Sequence, residues 1–217
     1  MSPPACVLLD LDGTLFDSRP GIFASFDAAL RDLGHEPDPA MAMDFVLGPP
    51  ISDVAGQILA HYGDTRAEEL VTAYRRHYAA SGFRNSALYP GIPALLDALR
   101  AAGCRLFLAT SKRSTAARQM MDHAGLTPQF SALYGSEPGG ALDHKPELIA
   151  RILARESIAA AEAVMIGDRR FDMSGAQANH VRAIGALWGY GGREELEQAG
   201  ADAIAASPED VAALLLG

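Results

Sequence analysis

The segment Val7–Ser18, VLLDLDGTLFDS, decides the fold. An apolar run with Cys6 at its head stops at two aspartates separated by one leucine, and Gly13 and Thr14 turn the chain away. In a strand, residues i and i+2 point to the same side, so Asp10 and Asp12 are neighbours while Leu11 faces away. At the carboxyl end of a parallel strand they stand where open α/β sheets bind ligands. Two close carboxylates raise one another's pKa unless a cation takes part of the charge. The pair therefore suits a division of labour in which one carboxylate attacks and the other carries a proton. Standing alone, D-x-D reads as a solvated turn after a strand.

The rest of the chain supplies the sheet that such a strand needs. Strand-like runs recur at CRLFLAT (104–110), AVMIGD (163–168), VRAIGAL (181–187) and ADAIAA (201–206). Between them lie helical stripes, such as Ile92, Leu95, Leu96 and Leu99 with Gly103 at the C′ position, and Ala116, Ala117, Met120, Met121 and Ala124 before Gly125. Ser207, Pro208 and Asp210 open a last helix as N-cap, N1 and N3. Alternation of this kind predicts an α/β fold, Rossmann-like, with a central parallel sheet between two helical layers. From 16 to 85 the pattern is helical without a strand: Ile22, Phe26, Leu30 and Leu33 form one stripe, and Thr65 with Glu68 reads as a capping box. We expect residues 1–15 and 86–217 to form the core and 16–85 a helical cap inserted after the first strand, with hinges near Asp17–Pro20 and Asn85–Pro90.

Three further features end in chemistry. Thr110 closes the second apolar run, where its hydroxyl and the following N–H groups, beginning at Ser111, can meet a phosphate. Lys145 precedes Pro146 at a helix start, where it opposes the helix dipole unless an anion lies nearby. Asp168 ends a third apolar run and Asp172 follows four residues on. These oxygen ligands suit Mg²⁺, which takes one or two carboxylates and keeps sites for water and phosphate. Arg169 and Arg170 read as charge balance. In the cap, Gly48, Pro49 and Pro50 form a rigid loop, and Arg75, Arg76, Tyr74 and Tyr78 are candidate contacts whose default reading is packing or a solvated face. His61 and His77 read as structural. Trp188 and Tyr190 of WGYGG follow a strand end, and packing is their default.

The order D-x-D-G-T, Thr, Lys and G-D-x-x-x-D resembles the haloacid dehalogenase superfamily of aspartate-nucleophile phosphatases. LYPGIPALLDALRAAG, ATSK, IGDRRFDMSGA and WGYGGREELEQAGAD resemble its phosphoglycolate-phosphatase-like group, in the branch often called 5′-nucleotidase. The resemblance implies a covalent phosphoryl intermediate on Asp10, with Asp12 as acid and then base. It also implies Thr110 and Lys145 on the phosphoryl oxygens, and Mg²⁺ on Asp10, the Asp12 backbone carbonyl and Asp168, supported by Asp172. Specificity would fall to cap residues such as Gly48, Pro49 and Arg75. Some relatives carry an arginine three residues before the lysine, where this chain has Leu142, so that contact is not carried over. An acid two residues after the nucleophile separates phosphatases from the dehalogenases of the superfamily. A phosphomutase and a receiver-like regulatory domain are the alternatives.

Composition bounds the partners. A net charge of −9 argues against a nucleic-acid surface, which needs clustered Lys and Arg. No apolar run reaches the about 18 residues of a membrane span, and MSPPACVLLD has no signal-peptide pattern, so a cytoplasmic enzyme of a small phosphorylated metabolite is expected. Cys6 and Cys104 read as small buried hydrophobes. Nothing in the sequence specifies an oligomeric state.

Overall fold

The computed structural model describes residues 3–140 and 142–217. Strand β1 (Cys6–Leu9) leads into a two-residue strand, β2 (Phe16–Asp17), and then helices α1 (Arg19–Asp32), α2 (Ile51–His61) and α3 (Ala67–Ala80). The chain returns through β3 (Ala87–Leu88), which pairs antiparallel with β2, so the two crossings between sheet and helical block form one short ribbon. Beyond it run α4 (Ile92–Ala101), β4 (Arg105–Arg113), α5 (Ser114–His123), β5 (Ala132–Ser136), α6 (Lys145–Glu156), β6 (Ala163–Gly167), α7 (Arg170–Ala178), β7 (Arg182–Ala186), α8 (Arg193–Gln198), β8 (Ala203–Ala205) and α9 (Pro208–Leu216).

Six strands form one parallel sheet in the order β5-β4-β1-β6-β7-β8. Period-two alternation divides its side chains between two layers. Val7 and Leu9 join Leu106, Leu108, Val164 and Ile166 in a cluster with α4, α5 and α9. Leu8 joins Phe107, Met165 and Ala183 in a second cluster with Leu148, Ile149 and Ile152 of α6, Met173 of α7 and Leu196 of α8. Burial on both faces explains why these strands read as continuous apolar runs. Leu11, Leu15, Ile22, Phe26, Leu59 and Leu70 extend the first cluster into the helical block, which therefore packs onto the core rather than hanging from it.

Three local expectations are corrected. β5 went unread because its edge residues Ala132, Leu133 and Tyr134 are only half-buried, which weakens the apolar signal. β2 lies in the block read as strand-free and is too short to show periodicity. Thr65 and Glu68 make no capping box. Arg66 is the N-cap of α3 without a side-chain cap bond, and Asp64 accepts its N–H at 2.9 Å. At α9 the Ser207 and Asp210 side chains do cap reciprocally, as read. Both cysteines are buried and free.

Candidate active site

The ends of β1, β4 and β6 converge beside the point where the chain crosses from one half of the sheet to the other. Asp10 follows β1, and its N–H is held by the Ile166 carbonyl at 3.0 Å. Lys145, the first residue of α6, is 3% exposed. Its ammonium lies 2.8 Å from Asp10 Oδ1 and 2.6 Å from Asp172 Oδ1, and donates to the Ala109 carbonyl at 2.7 Å. The buried ammonium is thus hydrogen-bonded to one carbonyl and ion-paired with two carboxylates. The anion sought to explain a lysine at a helix N-terminus is this pair of carboxylates. Gly175 of α7 lets α6 approach, because a Cβ there would lie 2.5 Å from Lys145 Cβ.

Asp168 is fully buried. Thr14 Oγ1 donates to its Oδ1 at 3.1 Å and the Tyr190 N–H to its Oδ2 at 2.7 Å. Asp172 Oδ2 accepts the Arg169 N–H at 3.1 Å. Oxygens of Asp10, Asp168 and Asp172 lie within 4.8 Å of one another, so the three carboxylates could hold a metal ion. Gly13 is required beside them: its φ is +86°, and a Cβ would overlap the Asp168 carboxylate. Burial, with Asp172 and Asp12 adding to it, pushes the Asp10 carboxyl up to about 7 against the opposing pull of Lys145. Burial also drives Asp168 well above the carboxylate range, aided by Asp10 and Asp172. One lysine does not neutralise three buried carboxylates, and hard oxygen donors in this number fit a small divalent cation.

The Asp12 carboxylate stands outside that cluster. It takes Lys112 Nζ at 2.9 and 3.0 Å and Ser18 Oγ at 2.5 Å. Lys112 escaped the sequence reading because β4 was taken to end at Thr110. The strand continues to Arg113 through a shift in its register with β5, and this stretch carries the Lys112 ammonium to Asp12. The Lys112 ammonium also lies 4.0 Å from the Tyr78 ring centroid, a cation–π contact from α3. Burial lowers the Lys112 pKa, but the charge and hydrogen bond of Asp12 together with Tyr78 and Tyr74 outweigh it and hold the group well above its ordinary value. Thr110 is buried, and its Oγ1 accepts the Lys112 N–H at 3.2 Å.

Above these groups is a cavity of about 260 Å³. Asp10, Asp12, Thr110, Ser111 and Lys112 line it from the core, and Gly48, Pro49, Pro50, Tyr74, Arg75 and Tyr78 from the helical block. Arg75 makes no ion pair among the described residues, and its buried Nε has no hydrogen-bond partner. Arg76 points elsewhere, to Asp32, which also pairs with His77, while His61 pairs with Asp38 at 2.9 Å. Leu142 packs against the α6-side cluster and does not line the cavity. Arg169, read as charge balance, bridges core and block by donating to the Leu47 carbonyl. Packing was also too plain a reading for the WGYGG loop. Trp188 Nε1 donates to the Thr14 carbonyl at 2.9 Å, and Tyr190 touches Asp168 and Ser18.

Residues 7–186 match the family model of the haloacid dehalogenase-like hydrolases. The chain belongs to that family. A 5′-nucleotidase of Pseudomonas aeruginosa is 42% identical over 88% of this chain and 86% of its own length. The tyrosine-protein kinase PtkA of Mycobacterium tuberculosis is 37% identical over 87% of this chain, which spans 64% of that protein. A plasmid-borne phosphoglycolate phosphatase of Cupriavidus necator is 30% identical over 98% and 94% of the two chains. The crystal structure of a predicted phosphatase from Clostridium acetobutylicum superposes with a TM-score of 0.90 at 33% identity, covering 99% of each chain. This haloacid dehalogenase-like hydrolase is of the phosphatase type, and its six-stranded parallel sheet with helices inserted after β1 and β2 is the fold of those relatives. No helix among the described residues is long and apolar enough to cross a membrane.

Proposed function

We propose that this hydrolase is a Mg²⁺-dependent phosphatase that cleaves a small phosphate monoester through a phosphoryl group carried on Asp10. The observation that supports this most is the meeting of Asp10, Asp168, Asp172 and Lys145 at one buried point, with Asp12 beside it. Mg²⁺ bound by Asp10, Asp168, the Asp12 carbonyl and Asp172 would draw charge from the phosphoryl group that a carboxylate must approach. Lys145 supplies fixed positive charge to the Asp10 side and aims its carboxylate. Thr110 and the Ser111 N–H take phosphoryl oxygens. Asp12 gives its proton to the leaving oxygen and then takes one from the water that attacks phosphorus. An entering phosphate would compete with the Asp12 carboxylate for the Lys112 ammonium. The cap, residues 16–85 over a core of 1–15 and 86–217, selects the ester through Gly48, Pro49 and Arg75, which has no ion pair among the described residues.

Relatives named for 5′-nucleotides and for phosphoglycolate support a phosphorylated metabolite and leave its identity to a panel of monoesters assayed with Mg²⁺. The expected result is Mg²⁺-dependent release of inorganic phosphate from at least one member. No release from any ester refutes the reading, and an isomeric ester as product assigns a mutase instead.

Mg²⁺ should also stabilise the fold in a pH-dependent way. Asp10 and Asp168 have raised pKa values in the folded metal-free protein, so their contribution is intact below the ordinary carboxylate range. It is lost as pH rises through the raised values and the crowded site is forced to ionise. A cation binds that ionised form. The Tm gain from Mg²⁺ is therefore expected to be near zero at about pH 5 and several degrees at about pH 8. An equal gain at both contradicts the assignment.

A further inference from the structure

Ser18 is the N-cap of α1, yet its hydroxyl makes no cap bond. A serine at that position ordinarily accepts an N–H from the first turn. Here the hydroxyl donates to Asp12 Oδ1 at 2.5 Å instead. The Tyr190 hydroxyl, arriving from the loop after β7, serves the helix end in its place. It accepts the Ser18 N–H at 2.8 Å and the Arg19 N–H at 3.0 Å. Its own proton has Asp17 Oδ1 and Ser18 Oγ within reach, each at 3.3 Å, so the phenol also braces the Ser18 hydroxyl directly. The Arg19 guanidinium lies over the Tyr190 ring, 5.1 Å from its centroid, and the Tyr190 N–H is fixed on Asp168 at 2.7 Å. Ser18 is fully buried, so no solvent acceptor is at hand for its N–H if the phenol is removed.

We propose that Tyr190 is a positioning residue for the proton transfer at Asp12: by capping α1 it frees the Ser18 hydroxyl to hold the Asp12 carboxylate. Without the phenol oxygen, the Ser18 hydroxyl is drawn back toward the helix end and Asp12 loses one of its two holders. The inference rests on Asp12 acting as the general acid, as proposed above.

General acid catalysis matters most when the leaving group is poor. Nitrophenolate departs without a proton, whereas an alkoxide needs one. The quantity to read is kcat/KM, which covers the steps up to transfer of the phosphoryl group to Asp10 and excludes its later hydrolysis, in which Asp12 works as a base. In Tyr190→Phe, kcat/KM for the most active alkyl phosphate of the panel should fall about 10–100-fold, while that for p-nitrophenyl phosphate falls less than about 3-fold. Ser18→Ala should give the same selective pattern with Tyr190 intact, and the double variant should be no worse than the poorer single one. Equal losses on both esters, or no loss on either, overturn the proposal. If Tyr190→Phe does not fold, Ser18→Ala decides, and an unselective result there overturns it. Asp12→Asn separates the two claims: an unselective Asp12→Asn refutes Asp12 as the acid, whereas a selective Asp12→Asn beside an unselective Tyr190→Phe refutes the role of Tyr190 alone.

Discussion

Asp10→Asn is expected to abolish turnover, lowering kcat by roughly 10⁴-fold or more, and to leave the protein folded. The asparagine keeps the shape of the side chain but offers a weak nucleophile in place of a carboxylate oxygen. It also removes one of the three carboxyl groups that gather within 4.8 Å. Lys145 keeps Asp172 and the Ala109 carbonyl as partners, so no buried ammonium is stranded. Activity measured on the monoester panel, with the thermal unfolding curve beside it, checks both halves. Residual turnover within about tenfold of the parent would place the nucleophile elsewhere.

Lys145→Met has the second-largest effect, and it strikes stability as well as rate. The substitution removes the only ammonium among the described residues in contact with Asp10 and Asp172, both nearly inaccessible to solvent. Breaking a buried ion pair by deleting one partner typically destabilises by about 3–5 kcal/mol, because the remaining charge stays buried. The rate should fall by about 10³-fold, since the positive charge beside the phosphoryl group is lost together with the constraint on Asp10. Denaturant unfolding of the metal-free protein should show the larger loss, and saturating Mg²⁺ should return part of it. Arginine is not expected to rescue. Two carboxylates and a carbonyl gathered around one small ammonium do not match a planar guanidinium. A Lys145→Met protein as stable as its parent would contradict the charge balance described here.

How much of this was visible in the sequence depends on where each residue lies relative to a strand end. Asp10 and Asp168 each follow a strand buried on both faces, and Thr110 ends the buried stretch of β4, where an abrupt change from apolar to polar is conspicuous. Lys145 stood out because a lysine at a helix start is electrostatically misplaced until an anion explains it. Lys112 gave no such signal. It follows a polar residue in FLATSK, and only the continuation of β4 to Arg113 reveals that it reaches Asp12. Its partner, the Asp12 carboxylate, could not be separated from the Asp168 cluster by spacing alone. Tyr190 and Ser18 are 172 residues apart, and no local pattern marks a phenol that caps a distant helix. β5 was hidden for a different reason: an edge strand that is half-exposed lacks both the continuous run of a central strand and a clean alternation. Among the cap residues, composition marked Arg75 and Arg76 equally, and only packing separates the guanidinium that lines the cavity from the one paired with Asp32.

The central claim is that phosphorus is transferred to Asp10, and borohydride trapping tests it most directly. The protein, turning over the best monoester with Mg²⁺, is quenched and reduced, which converts a phosphorylated aspartate to homoserine. Peptide sequencing by mass spectrometry should then find homoserine at position 10 in the parent and not in Asp10→Asn. Homoserine at any other aspartate, or an unmodified Asp10 in a preparation that is releasing phosphate in a single turnover, would contradict the account.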